Sequence, residues 1–219
     1  MIDLSLLAQT WPEMARGAMT TLMVTTISFM GAMAAGFMLM ALRVQGGSIG
    51  RRFANSYVAL FRVVPELCVI LWTYYTLPAL AGFSLSEVQC GIIALTLVGA
   101  AYASEVFRAG FNALPKGQFD AARALGLREF HVWRLVAAPQ IVRRMTPAII
   151  NCGIDILKNS TLLAAIGATE LAHTAGRIGA STYDYLTPYT VVAAIFFLAV
   201  FPLSLLARRR EAALKLQRR

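Results

Sequence analysis

The stretch Asp120–Gln140, "DAARALGLREFHVWRLVAAPQ", carries five charges, at Asp120, Arg123, Arg128, Glu129 and Arg134, with Gly126 near its middle and Pro139 near its end. In most chains such a segment would be ordinary. Here it interrupts long runs with almost no charge, so it must lie in a different solvent from its neighbours. Of the 219 residues, 58% are hydrophobic and only 14% charged, against about 25% charged in an average soluble domain. The mean hydropathy is +0.64. This is the composition of an all-α membrane protein.

A hydrocarbon core about 30 Å thick needs about 20 apolar residues of helix. Five segments meet that length: 17–42, 53–80, 88–110, 145–166 and 185–207. The first and last are uncharged, whereas the second is interrupted by Arg62, Pro65 and Glu66, the third is apolar until Glu105, and the fourth contains Asp155 and Lys158. Sixteen of the 20 basic residues follow the first, third or fifth segment, among them Arg43, Arg108, Lys116, Arg144, Lys215, Arg218 and Arg219. Because Lys and Arg stay in the cytoplasm, this places the N-terminus outside, the C-terminus inside and residues 111–144 in the cytoplasm. Trp72, Tyr74 and Tyr75 then belong to the outer aromatic belt. The net charge of +9 is thereby accounted for by topology, and nucleic acid is not required as a partner.

Residues 1–16 place Leu4, Leu7, Trp11 and Met14 at helical spacing, which predicts an interfacial helix or else a frayed tail. Residues 208–219 read as a basic cytoplasmic tail, and one membrane domain spans residues 1–219. Gly31, Ala32, Ala35 and Gly36 form a small-residue stripe of the kind that lets helices pack closely within a bundle. Cys68, Cys90 and Cys152 lie in apolar stretches without C-x-x-C spacing and read as small core residues. His131 and His173 have no metal-ligand partner at useful spacing.

The opening stretch itself reads as two short amphipathic helices. Pro115 suits a helix start, Phe119, Ala122 and Leu125 share a face, and Gly126 is a left-handed stop. A second helix begins near Arg128, with Phe130, Trp133 and Ala137 on a stripe, and Pro139 is expected to end it. A hairpin presenting Phe, Trp and charge together suits a protein-docking surface. The other reading is an inter-span loop resting on the membrane.

Asp120, Ala121 and Ala122, then Gly126, then Val136, Ala138 and Pro139 follow the pattern E-A-A, three residues, G, nine residues, apolar, any, apolar, P. This resembles the signature loop of permease subunits of binding-protein-dependent ABC importers, with Asp in place of Glu and smaller apolar residues before the Pro. The flanks "AYASEVFRAGFNALPKGQFDAARALG" (101–126) and "PAIINCGIDILKNSTLLAAIGATEL" (147–171) are similar to the polar amino-acid permeases of the histidine, glutamine and opine type. So is "FRVVPELCVILWTYYTLP" (61–78), although Val69 stands where many of that family have Gln. The resemblance implies a coupling hairpin, carried by Asp120, Ala121, Ala122, Arg123, Gly126, Phe130, Trp133 and Pro139, that seats in a cytoplasmic ATPase subunit. It implies as partners a dimer of such ATPases using ATP and Mg, a second permease subunit identical or homologous, and a periplasmic binding protein delivering polar amino acids or related zwitterions. The location implied is a bacterial inner membrane.

Charges at membrane depth cost about 2.5 to 3.5 kcal/mol each on insertion scales and need a reason. Arg62 and Glu66 are i, i+4 and Asp155 and Lys158 are i, i+3, so each pair can neutralise itself on a helix face. Pro65 complicates the first pair, since it breaks the helix and leaves polar backbone near mid-membrane. Two readings follow. In one, Glu66 with Asn151 or Asp155 lines a translocation cavity, and Lys158, Asn159, Ser160 and Thr161 form a polar hinge or gate. In the other, these are interior ion pairs holding helices in register. Glu105 and Arg108 are expected to brace the inner end of the third span. The sequence contains no G-x-x-x-x-G-K-[S/T] phosphate loop, no G-x-S-x-G and no H-E-x-x-H, so the chain is not itself an ATPase or a recognisable intramembrane enzyme and needs no cofactor of its own. An ATP-independent channel or an exporter component is the alternative to an importer.

Overall fold

The computed structural model of the chain describes residues 3–82, 84–114 and 116–216. Pro115, Arg218 and Arg219, which figure in the expectations above, lie outside the described residues, as do the side chains of Leu4, Lys116 and Lys215. Among the described residues the fold is an all-α bundle in which four helices are long and apolar enough to cross a membrane, or five if a bent pair counts as one span.

The first helix, α1 (Leu4–Gln45), begins where the Asp3 carboxylate accepts the backbone N–H groups of Ser5 (2.9 Å) and Leu6 (3.1 Å). Such a side-chain cap satisfies donors that a first turn leaves open. At 1.5 Å per residue its length is about 63 Å, twice the hydrocarbon thickness. The N-terminal segment is therefore not a separate short helix: it runs through Pro12 into the first span. Met14 holds it there, packed in a core of Leu171, Ala175, Ile178 and Val192. The Glu13–Arg177 ion pair (2.6 Å) and the Asp3 N–H to Thr187 hydroxyl bond (3.0 Å) tie the same segment to later elements.

Helix α2 (Gly47–Val63) starts six residues earlier than the hydropathy cut and includes Arg51 and Arg52. It stops at Pro65, and α3 (Glu66–Tyr75), continued by α4 (Leu77–Ala81), leaves at an angle of 104°. The break has a simple cause. Pro65 has no N–H to continue the ladder, and its extended backbone (φ −56°, ψ 135°) instead caps a new helix through bonds from Cys68 and Val69 to its carbonyl. The Arg62–Glu66 pair expected from an unbroken helix consequently does not form, because i, i+4 neighbours face each other only along one continuous axis. Cys68 also departs from expectation: it is exposed, whereas Cys90 and Cys152 are buried.

Helix α5 (Glu87–Asn112) opens with a reciprocal box between Ser86 and Gln89 and forms the centre of the bundle. Its small residues meet the stripe of α1. A methyl group added to Gly36 would sit 2.9 Å from the Ser104 backbone N and 3.0 Å from the Ala100 carbonyl O, and Ala32 is fully buried against Gly99. The stripe is thus the α1–α5 packing seam.

After α6 (Lys116–Ala124) the chain turns and enters a long helical column: α7 (Glu129–His131), a widened π-type segment Val132–Ala137, α8 (Ala138–Asn159) and a tightened 3-10 segment Ser160–Ile166. The column counts as one span of 38 residues. Pro139 does not end it. The π segment lets the Ala138 N–H reach back to the Trp133 carbonyl, five residues away, so a proline without an N–H follows inside a continuous helix. Sequence patterning gave no hint of α9 (Leu171–Thr182), which is followed by α10 (Leu186–Leu216).

Candidate functional site

Two regions hold the residues singled out by sequence. The first is the hairpin of α6 and α7. Gly126 has φ +75°, and the Gly126 and Leu127 N–H groups bond back to the carbonyls of Arg123 (2.9 Å) and Ala122 (3.2 Å). Only glycine takes that conformation without strain, so the bend is written into this one residue. The two arms are pinned across the bend by Arg123 Nε donating to Glu129 Oε1 at 2.6 Å, with Asp120 a looser partner at 3.8 Å. The Glu129 bond raises the Arg123 value above its usual range.

The apolar faces differ from a regular 3.6-residue reading. Ala122 is buried, but Leu125 falls in the turn and is 82% exposed. In the second arm the widened turn rotates the register, so Val132 and Ala137 are buried while Phe130 stays 64% exposed. Trp133 is half covered, its ring set between Phe119 (5.6 Å) and Phe111 (6.1 Å). Below it Leu114, Ala137, Ile141 and Met145 form a small core joining the hairpin to the ends of α5 and α8. Gln140 donates to Gln118 (2.7 Å), and the Arg144 guanidinium donates to the Ala113 carbonyl. The hairpin thus has an exposed tip and a root fixed to two spans.

The second region is a cavity of about 250 Å³ between α3, α5 and α8, lined by Glu66, Tyr102, Asp155 and Asn159 among apolar residues. Glu66 occupies the first turn of α3, where an exposed helix N-terminus favours a carboxylate. Asn159 and Asp155, both on α8, share the cavity wall with it, the second as a like-charged neighbour. Of the residues expected along a path, Glu66, Asp155 and Asn159 are therefore brought together. Asn151 and Lys158 are not on this cavity wall; spaced with Asp155 along one face of α8, all three are exposed on the bundle. Among the described residues Asp155 and Lys158 form no ion pair, which corrects the i, i+3 expectation. The Ser160 and Thr161 hydroxyls donate to the carbonyls of Leu157 (2.7 Å) and Lys158 (2.8 Å), where the helix narrows from α to 3-10.

Glu105 does bond Arg108, at 2.6 Å, and also Arg43 of α1, at 2.5 Å. The Arg43 contact links two spans and was invisible to local spacing. Tyr102 was likewise missed, although a lone phenol in the middle of an apolar segment is a signal. So was Glu170, fully buried, whose carboxylate accepts the Ala172 (2.8 Å) and His173 (2.6 Å) N–H groups at the start of α9. Burial raises its value above the ordinary carboxylate range, and those bonds with the Thr21 hydroxyl oppose the rise.

Residues 27–215 match the family of binding-protein-dependent transport system inner membrane components, and the chain belongs to that family. It is 31% identical to the arginine transport system permease protein ArtQ of Bacillus subtilis, over 98% of each chain. It is 32% identical to the putative glutamine transport system permease protein GlnP of Rickettsia conorii, over 88% of each. Among solved structures, an amino acid ABC transporter crystallised with histidines has a chain that superposes with a TM-score of 0.86 at 29% identity, covering 97% of this chain and 99% of that one. A chain of the methionine ABC transporter MetNI shares the fold, with a TM-score of 0.71 at 22% identity.

Proposed function

We propose that this chain is the transmembrane subunit of an ATP-driven importer of polar amino acids, with five spans, the N-terminus outside and the C-terminus inside. The relatives named for arginine and glutamine transport support that substrate class, and the positive-inside distribution supports the orientation. The carrying observation is mechanical: the second arm of the hairpin is continuous with the fourth span from Glu129 to Ile166. An ATPase subunit gripping Leu125 and Phe130 at the exposed tip therefore moves a column that carries Asp155 and Asn159. Replacing Gly126 with Leu should leave the protein inserted and the complex assembled but abolish ATP-driven uptake in proteoliposomes. Undiminished uptake would remove the hairpin from the drive.

The cavity suits an ammonium or guanidinium group. Two carboxylates at membrane depth repel one another unless a cation or a proton lies between them, and among the described residues no basic one lines this wall. A substrate cation supplies the missing charge. The exposed face with Asn151, Asp155 and Lys158 supports a second permease subunit, identical or homologous, as its cover, since lipid cannot solvate those groups. A periplasmic binding protein delivers the solute, and ATP and Mg are used by the partner ATPases.

A further inference from the structure

A larger cavity of about 800 Å³ lies between the small one and the hairpin root, with Gln118, Gln140 and Arg144 in its wall. Tyr102 and Cys152 belong to the walls of both cavities. Along α5, Leu95, Val98 and Gly99 face the small cavity, Glu105, Val106 and Ala109 face the large one, and Tyr102 stands between the two groups. Of these two shared residues Cys152 is small and buried, whereas Tyr102 is bulky and 40% exposed, so the phenol ring is the group that can divide the two spaces.

That ring is held from one side. The Arg62 guanidinium carbon lies 5.7 Å from the ring centroid, an attractive placement of a planar cation on an aromatic face. Among the described residues Arg62 has no ion pair, although Glu66 is only four positions away. The break at Pro65 explains this: it directs Glu66 into the small cavity and Arg62 into the large one, with Tyr102 between them. Arg62 lies on α2 and Glu66 on α3, so a change of angle across the break would carry Arg62 off the ring.

We propose that Tyr102 is the inner gate between the substrate cavity and the vestibule above the hairpin, and that Arg62 is the positioning residue that holds it shut. This rests on the small cavity being the substrate's seat, but its test does not require a substrate. In the importer complex in membrane vesicles that expose the hairpin face, with Cys68, Cys90 and Cys152 replaced by Ala, Val98→Cys reports from behind the ring and Ala109→Cys from the vestibule. A membrane-impermeant cationic methanethiosulfonate is the probe. Adding Tyr102→Ala or Arg62→Met should speed modification at position 98 by about tenfold or more, the change expected if the open population rises by that factor. Tyr102→Phe and Arg62→Lys should leave it slow, and the rate at position 109 should not change in any variant. An unchanged rate at 98 with Tyr102→Ala, while 109 reacts, overturns the gate. So does equal acceleration at both positions, which marks general loosening. If removal of the cysteines prevents assembly, the same rates are read peptide by peptide by mass spectrometry with the native cysteines in place. Failure of the substrate-seat reading would show separately, as solute binding indifferent to Glu66.

Discussion

Helix α5 has two unlike sides. Against α1 it presents Ala100, Ala103 and Ser104, so close that an added methyl at Gly36 would meet backbone. Toward α3 and α8 it presents Val98, Tyr102 and Glu105 to cavities of about 250 and 800 Å³. The first side is a seam that cannot slide without clash, and the second leaves room for a solute and for motion. The contrast separates two parts of the bundle: α1 and α5 are packed without room to slide, whereas the column from Glu129 to Ile166 borders both cavities.

The strongest way to break this contrast is to overfill the seam. Gly36→Leu places a branched side chain against the Ser104 and Ala100 backbone, and overpacking of that kind costs about 1 to 3 kcal/mol or more. The expected outcome is loss of most folded protein from the membrane, read by detergent-solubilised size-exclusion yield. Asn151→Leu, on the exposed face of α8, should leave that yield intact. A smaller effect is expected at the brace. Arg43→Met removes one of the two cations on Glu105 and leaves Arg108 in place, so a loss of about 1 kcal/mol is expected in thermal unfolding. The smallest effect sharpens the outer corner. The raised value at Glu170 means that its protonated form is favoured in the folded protein. The associated stability is full below the ordinary carboxylate range and is lost as pH rises through the raised value. Glu170→Gln should therefore flatten the dependence of melting temperature on pH across that window. Glu170→Ala, which leaves the Ala172 and His173 N–H groups open, should lower the melting temperature at every pH.

The two sides of α5 were not equally legible. The small-residue stripe announced the seam, because Gly and Ala at positions 31, 32, 35 and 36 have one physical use in a span. Gly126 and the charge pattern likewise announced the hairpin. The cavity was half legible: Glu66 and Asp155 stood out as charges in apolar surroundings, but only the fold brings them, from α3 and α8, to one wall. Local spacing paired Arg62 with Glu66 and Asp155 with Lys158, and the 104° bend at Pro65 and the exposed face of α8 undid both pairings. Pro139 misled for a related reason. A rule for ideal helices treats proline as a stop, whereas a widened π turn just before it keeps the column continuous. The α9 helix stayed hidden because its anchoring charge, Glu170, lies at the edge of an apolar run and caps the first turn of the helix that follows it.

Equilibrium binding of radiolabelled L-arginine and L-glutamine to the importer complex in nanodiscs tests most directly whether the gap between α5 and α8 is the solute's path. With Glu66→Gln and Asp155→Asn combined, the complex should remain assembled while affinity for the bound amino acid falls by at least about tenfold, or about 1.4 kcal/mol. Unchanged affinity in an intact double variant would contradict the account.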